Sequence, residues 1–252
     1  MTNIFLVGAC GKMGRVIAEC VSTRSDCSVV GGVDIACEKY SDFPIYSSFS
    51  QVEEKPDVII DFSHPSALKD TLHYAVENSV PAVIATTGLD EQHIALVNEA
   101  AKSVPVFFTY NMSLGVNLLA ELAKMATKVL ANDFDIEIVE AHHNQKIDAP
   151  SGTAIMLADA INETLDNQYE YEYDRHSKRE KRTKKEIGMH AIRGGTIVGE
   201  HEIIFAGRDE IVKLSHSARS KEIFAVGAIN AAVYLKEQQS GIYSMSDLLA
   251  NK

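Results

Sequence analysis

Short apolar runs alternate with helical patterns over the first 110 residues of the chain. Apolar strands are predicted at five places, which are Ile4–Val7, Val29–Val33, Val58–Phe62, Ala82–Ala85 and Val106–Thr109. Amphipathic spacing predicts the intervening helices, one ending near Ser22, one from Pro65 to about Asn78, and one over Glu91–Lys102. Apolar strands separated by helices are typical of a parallel sheet covered on both faces, so the pattern predicts a doubly wound α/β fold.

The pattern changes after Asn111. Helices are predicted over Leu114–Val129, Ala154–Leu165 and Ile223–Leu235, and extended segments over Asp135–Ala141, Ile197–Phe205 and Ile211–His216. This mixture predicts an α+β domain with a largely antiparallel or mixed sheet. We expect a first domain over residues 1–112, a second over 113–222, and a C-terminal helical segment over 223–252 that returns to the first.

Composition and charge narrow the possible partners. Hydrophobic residues make up 46% of the chain and charged residues 23%, and the net charge of −11 argues against nonspecific nucleic-acid binding. The N-terminus lacks the pattern of a secretory signal, and no uncharged apolar run approaches the ~20 residues that span a bilayer. We expect a cytoplasmic protein with no membrane partner. The four cysteines form no CxxC pair and are interpreted as thiols, at Cys10, Cys20, Cys27 and Cys37.

One segment departs from the acidic background. Arg175–Glu186 carries seven Lys or Arg residues. It is either a patch that binds phosphate or nucleic acid, or a solvated loop between two elements. The interleaved Asp174, Glu180 and Glu186 favour the loop.

A glycine-bearing turn connects the first predicted strand to the first helix. Gly8 permits a tight turn, Gly11 lets backbone N–H groups approach a pyrophosphate, and Gly14 lets the helix pack closely on the sheet. The N-terminus of the helix adds partial positive charge and N–H donors. The spacing is GxxGxxG rather than GxGxxG, so a glycine-rich turn without a ligand is the alternative.

Asp34 strengthens the dinucleotide hypothesis. It ends the second predicted strand, 20 residues after Gly14, where an acidic side chain accepts hydrogen bonds from the adenosine ribose. Its charge repels the 2′-phosphate of NADP. We therefore expect a preference for NADH, or use of both cofactors with help from Lys12, Arg15 or Lys39.

The segment Glu140–Ala154 concentrates chemistry-bearing residues within fifteen positions. Pro150 and Ser151 suit the first turn of a helix, and a helix start with Ser151, Gly152 and Thr153 can cradle a carboxylate. His143 and Lys146 add positive charge, which leaves His142 to act as an acid. The alternatives are a structural turn, a solvated lysine or a metal site. No third ligand stands at a recognisable spacing, so we expect no metal.

In this segment the sequence resembles the 4-hydroxy-tetrahydrodipicolinate reductase (dihydrodipicolinate reductase) family, whose pattern E-x-H-H-x-x-K-x-D-A-P-S-G-T-A it matches at every fixed position. Further matches lie at Gly8–Gly14, at Ala85–Gly88, and over three later segments, Ile192–Glu202, Phe205–Gly207 and Ser215–Ala228. The resemblance spans nearly the whole chain.

The resemblance implies a Rossmann-type cofactor domain, a substrate domain that also forms a homotetramer, and reduction of a small cyclic dicarboxylate in lysine and diaminopimelate biosynthesis by NADH or NADPH. It implies hydride addition at ring C4, with His142 as proton donor and Lys146 stabilising a carboxylate and the developing charge. The expected substrate-binding residues are Thr87, His143, Lys146, Ser151, Gly152 and Thr153. The expected cofactor-binding residues are Gly8, Gly11, Lys12, Met13, Gly14, Asp34, Ala85, Thr86, Thr87, Tyr110, Asn111 and Met112.

Several alternatives stay open at this level. Ala85 stands where many family members have glycine, and Tyr110 and Met112 replace other residues of some members. Arg193 either adds positive charge to the site or pairs with Glu200 or Glu202. Rival hypotheses are another two-domain dehydrogenase, and a nonenzymatic NAD sensor that has no need of the His-His-Lys cluster.

Overall fold

The chain folds into two compact units. Unit 1 comprises Met1–Leu114 and Glu222–Lys252, and unit 2 comprises Gly115–Lys221. The computed structural model describes residues 1–35 and 40–251. The unit boundaries lie within two residues of those expected, and the C-terminal segment belongs with the first domain.

The elements follow one another in the order that the hydrophobic pattern predicts, with several short additions. Those before residue 115 are β1 Thr2–Val7, α1 Lys12–Ser22, β2 Cys27–Val33, β3 Ile45–Tyr46, β4 Val58–Asp61, α2 Leu68–Asn78, β5 Ala82–Ile84, α3 Glu91–Ala100 and β6 Pro105–Phe108, with 3-10 turns at Phe49–Gln51 and Pro65–Ala67. From Leu114 onward the elements are α4 Leu114–Leu130, β7 Asp135–His142, α5 Gly152–Thr164, β8 Glu170–Glu172, β9 Glu186–Arg193, β10 Gly199–Ala206, β11 Ile211–Ala218, α6 Glu222–Leu235, β12 Gly241–Tyr243 and α7 Met245–Ala250.

Unit 1 is built on a seven-stranded parallel sheet of order β12-β6-β5-β4-β1-β2-β3. One face packs on α1 and α6 through residues such as Ile17 and Ile229, and the other packs on α2 and α3 through Leu72 and Val97. Burial of both faces explains why β1, β4 and β5 are continuous apolar runs. The doubly wound prediction is confirmed, and the strand order reverses between β1 and β4, where such folds bind ligands.

Unit 2 contains a five-stranded sheet of order β11-β10-β7-β9-β8. β7 pairs in parallel with β9 and antiparallel with β10, so the sheet is mixed, as predicted. Leu119 and Ala123 of α4 and Leu157 and Ile161 of α5 pack on the sheet in one cluster. Period-2 burial along β10 matches a sheet covered by helices on one face.

The basic segment lies in the connection between β8 and β9. Arg175 pairs with Glu186, and Lys178 pairs with Glu172. Arg182 is half-buried and binds Asp135 and Glu137 at 3.1 and 2.9 Å. These pairs neutralise part of the positive charge, and the segment is a loop between two strands, as the sequence favoured.

The structure also bears on the predictions about membrane spans and cysteines. Within the described part of the chain, no helix is long and apolar enough to cross a membrane. Cys20 and Cys27 are free thiols, whereas Cys10 is disulfide-bonded, so the thiol interpretation is wrong at Cys10. Cys37 and Lys39 lie outside the described residues.

Candidate active site

The glycine turn joins β1 to α1 at the point where the sheet order reverses. Gly8 has a φ of 76°, which its lack of a side chain permits. Gly11 is the N-cap of α1 and has no side-chain cap, so the N–H groups of Lys12, Met13 and Gly14 point out of the first turn, as in helix termini that bind phosphate. A Cβ on Gly14 would lie 2.4 Å from the carbonyl oxygen of Gly8. Close helix–sheet contact therefore depends on this glycine.

Asp34 follows β2 and lies beside the glycine turn. Its Oδ2 accepts a hydrogen bond of 2.9 Å from the backbone N–H of Cys10. The guanidinium of Arg15 stacks 4.2 Å from the centroid of the Tyr40 ring, and the Tyr40 hydroxyl donates to the Ala9 carbonyl at 2.7 Å. An acid and a stacked Arg–Tyr pair thus border the turn where an adenosine ribose would bind.

The loop after β5 is anchored by a residue that the sequence analysis missed. Asp61, the last residue of β4, is fully buried and accepts from Thr86 Oγ1 at 2.9 Å and from the Ser63 N–H at 2.8 Å. Burial raises the pKa of Asp61 above its usual value, although the hydrogen bonds oppose this shift. Thr87 and Gly88 are exposed at the tip of the loop. A polar residue at the carboxyl end of a central parallel strand was the available signal.

The segment after β6 has one strongly exposed side chain. Tyr110 is 79% exposed, whereas Met112 is part of the unit 1 core and 4% exposed. Asn111 is buried, and its Oδ1 accepts from the Ser113 N–H at 2.8 Å. Ala85 is also buried. Of these four expected cofactor-binding residues, Tyr110 alone has an exposed side chain.

In unit 2, the end of β7 and the start of α5 bring the signature segment together around Glu140. This carboxylate is 1% exposed, and its Oε2 lies 2.6 Å from His142 Nδ1. Arg193 approaches it with both terminal nitrogens, at 2.8 and 2.7 Å, and the Ser151 N–H donates to it at 3.0 Å. Arg193 therefore pairs with Glu140, and the alternative of a pairing with Glu200 or Glu202 is wrong.

The register of the sheet explains that pairing. β7 and β9 run in parallel with His142 opposite Arg193, so the arginine emerges next to the histidine. Arg193 also donates to the Asp148 carbonyl at 2.6 Å, which ties the loop to the end of β9. The hydrogen bonds with Glu140 are the main reason that the pKa of Arg193 is raised above its ordinary value.

The N-terminus of α5 begins at Gly152, directly after the capping residue Ser151. Ser151 is buried, and its hydroxyl caps the helix by accepting from the Ala154 N–H at 3.2 Å, while also lying 3.0 Å from His201 Nε2. Its hydroxyl is thus occupied in the cap rather than open to a ligand. Gly152 is exposed, and a Cβ built on it would meet nothing within 4 Å. Thr153 follows in the first turn, half-buried.

Lys146 and His143 lie in the loop between β7 and α5, both partly exposed. Lys146 Nζ is 2.8 Å from Asp148 Oδ1, and its backbone N–H donates to the His143 carbonyl at 3.1 Å. A ligand carboxylate must compete with Asp148 for this ammonium group.

His201 was noted only as part of a motif, yet it borders the cluster. It is 5% exposed, and its ring lies 5.3 Å from that of His142 in an edge-to-face arrangement. Burial lowers the pKa of His201 to about 4, aided by the charge of His142. His201 is therefore neutral at physiological pH, and positive charge at this end of the sheet comes from other groups. Across residues 1–35 and 40–251, no three His, Cys, Asp or Glu side chains form a group that could hold a metal.

Comparison with known proteins gives consistent matches over both units. Residues 2–112 match the family model described as dihydrodipicolinate reductase, N-terminus, and residues 115–249 match the corresponding C-terminus model. A 4-hydroxy-tetrahydrodipicolinate reductase of Caldanaerobacter subterraneus subsp. tengcongensis is 50% identical over 249 residues, covering 99% of this chain and 98% of that protein. The same-named protein of Clostridium tetani is 46% identical, with 99% and 97% covered. The fold matches a dipicolinate-bound dihydrodipicolinate reductase from Paenisporosarcina sp. TG-14 with a TM-score of 0.79 at 22% identity, covering 97% of each chain.

Proposed function

The chain belongs to the dihydrodipicolinate reductase family, and from that premise we propose that it reduces 4-hydroxy-tetrahydrodipicolinate (dihydrodipicolinate) to tetrahydrodipicolinate with NADH or NADPH. The observation that carries the proposal is the intact segment Glu140–Ala154, with a carboxylate-held histidine beside a lysine and an open helix N-terminus. A place in lysine and diaminopimelate biosynthesis follows from this substrate. The cytoplasmic location and the homotetramer stay predictions.

The residues of unit 1 fit a dinucleotide. The N–H groups at the start of α1 suit a pyrophosphate, and a Cβ on Gly14 would close the turn that holds it. Asp34 suits the ribose, with one carboxylate oxygen already fixed by Cys10. When bound, the reduced nicotinamide supplies the hydride that adds to ring carbon C4 of the substrate.

The residues of unit 2 fit a small dicarboxylate. The N-terminus of α5, exposed at Gly152, suits one carboxylate, with Thr153 in the same first turn, and Lys146 and His143 add positive charge. His142 delivers a proton from Nε2 to the ring as negative charge develops there, and the electron pair of the N–H bond remains on Nε2. The 4-hydroxy compound first loses water to give dihydrodipicolinate, and one hydride and one proton then complete the reduction to tetrahydrodipicolinate.

Cofactor choice is proposed to favour NADH or to include both cofactors. The Asp34 carboxylate repels a 2′-phosphate, whereas Arg15 lies close enough to the turn to offset part of that repulsion. Measured kcat/KM values for the two cofactors test this reasoning. A hundredfold advantage of NADPH would refute it.

The first test is loss of absorbance at the nicotinamide band, with each reduced cofactor and substrate freshly made by the preceding synthase. Rapid oxidation that requires the synthase product supports the reductase. His142→Gln is expected to lower kcat by on the order of 10²-fold or more with little change in KM, while Lys146→Ala damages both constants. The exposed His190→Gln is the matched control. Binding of both cofactors without oxidation favours the sensor or another substrate, and a His142→Gln kcat within threefold of the parent refutes the acid assignment.

A further inference from the structure

Both oxygens of the buried Glu140 carboxylate have hydrogen-bond partners. Its two oxygens face four donors, which are His142 Nδ1, two terminal nitrogens of Arg193 and the Ser151 N–H. Burial alone would raise the pKa of Glu140, yet hydrogen bonds from Arg193 and His142 hold it below its usual range. The carboxylate is therefore ionised and acts only as an acceptor.

An acceptor-only partner fixes the protonation pattern of the His142 ring. With Glu140 Oε2 at 2.6 Å, the ring nitrogen Nδ1 must carry a hydrogen. Nε2 is then the nitrogen that gains and loses a proton. The second side of the ring is shaped by Gly199, because a Cβ there would lie 3.1 Å from His142 Nε2. Glycine at this position leaves that nitrogen room to meet a ligand.

We propose that Glu140 is a positioning residue, which fixes the tautomer and orientation of His142 and stabilises its protonated form, and that Arg193 keeps Glu140 ionised and in place. The catalytic part of this inference rests on the proposed role of His142 as proton donor. Because Arg193 also donates to the Asp148 carbonyl, it connects the carboxylate to the loop that carries Lys146.

The same strand provides a matched control. Glu137 of β7 also binds an arginine and a histidine, with Arg182 Nε at 2.9 Å and His190 Nε2 at 2.8 Å. None of these three residues belongs to the candidate site. A change of Glu137 to Gln therefore removes the same charge from the same strand without touching His142.

The experiment compares Glu140→Gln and Glu137→Gln in the full-length protein. In Glu140→Gln we expect kcat to fall on the order of 10²-fold with KM changed less than about threefold, because orientation and charge of the acid are lost but substrate contacts remain. The alkaline limb of the kcat–pH profile should move to lower pH by about one unit, since the protonated ring loses its anionic partner. Glu137→Gln should leave kcat and the profile unchanged.

Nitrogen-15 NMR of histidine-labelled protein provides a readout that needs neither substrate nor turnover. The parent should show a hydrogen on His142 Nδ1 that persists in Glu137→Gln and is weakened or lost in Glu140→Gln. Parent protein with Nδ1 unprotonated overturns the proposal, as does a Glu140→Gln enzyme with kcat within threefold and an unchanged pH profile. If the parent lacks turnover but shows the Nδ1 hydrogen, the reductase assignment fails while the tautomer assignment stands. Should Glu140→Gln not fold, the parent spectrum still decides the tautomer.

Discussion

Removal of the titratable group at His201 should change how the protein responds to acid. The pKa of this buried ring is about 4 in the folded protein and 6.5 when unfolded. Between these values the unfolded chain binds the proton more readily, so stability is lost as pH falls from 6.5 towards 4. From these two pKa values, proton linkage lowers the free energy of unfolding by about 2 kcal/mol at pH 5 and by about 0.2 kcal/mol at pH 7.

His201→Gln keeps a polar group near Ser151 and cannot titrate. Scanning calorimetry at pH 7 and pH 5 should show that the parent loses roughly 4–8 °C more of its Tm than the variant over this interval, at roughly 2–4 °C per kcal/mol. His73→Gln, at a position with a 69% exposed side chain, is the control and should follow the parent. Burial also lowers the pKa of His216, so some acid sensitivity remains in the variant. Equal Tm losses in parent and His201→Gln would refute the reasoning.

Three further predictions address other parts of the molecule. Gly14→Ala should weaken NADH binding at least tenfold and lower Tm, because the new Cβ would lie 2.4 Å from the Gly8 carbonyl oxygen. Fluorescence titration measures the affinity for NADH, and an unchanged affinity would contradict the close packing. Asp148→Asn should lower the substrate KM by roughly 1.4- to fivefold in steady-state assays, because an exposed ion pair worth about 0.2–1 kcal/mol no longer competes for Lys146. A higher KM would argue against that competition. Asp61→Asn should become more stable relative to the parent as pH rises above 4, because burial raises the pKa of this carboxyl and its ionisation destabilises the folded parent. Urea unfolding at several pH values measures the free energies of unfolding. A difference between variant and parent that does not change with pH would count against the prediction.

The fold was largely predictable because its central strands are short but continuous apolar runs. β1, β4 and β5 are buried on both faces, and this leaves a strong local pattern. The edge strands β3 and β12 span two and three residues and are only partly buried, so they form no continuous apolar run. They form because a neighbouring strand provides backbone hydrogen-bond partners, and the local sequence does not reveal that strand's position.

The site was predictable where its residues are adjacent in sequence and not where the sheet brings them together. His142, Lys146 and the helix start at Gly152 lie within one segment, so their grouping follows from the chain itself. Glu140 and Arg193 are separated by 53 residues and meet through the parallel register of β7 and β9. From the sequence, only the nearby Glu200 and Glu202 could be named as alternative ion-pair partners of Arg193. Register is set by tertiary packing and is not encoded in any single window of residues.

The path of the chain between its two units has a consequence for biosynthesis on the ribosome. Unit 2 is continuous from Gly115 to Lys221, whereas unit 1 needs α6 and β12 from the far end of the chain. α6 supplies Ala228, Ile229 and Leu235 to the first core, all of them buried. The nascent N-terminal segment therefore emerges with one face of its sheet covered by α1 alone, and the inserted unit is synthesised whole before α6 can complete that face.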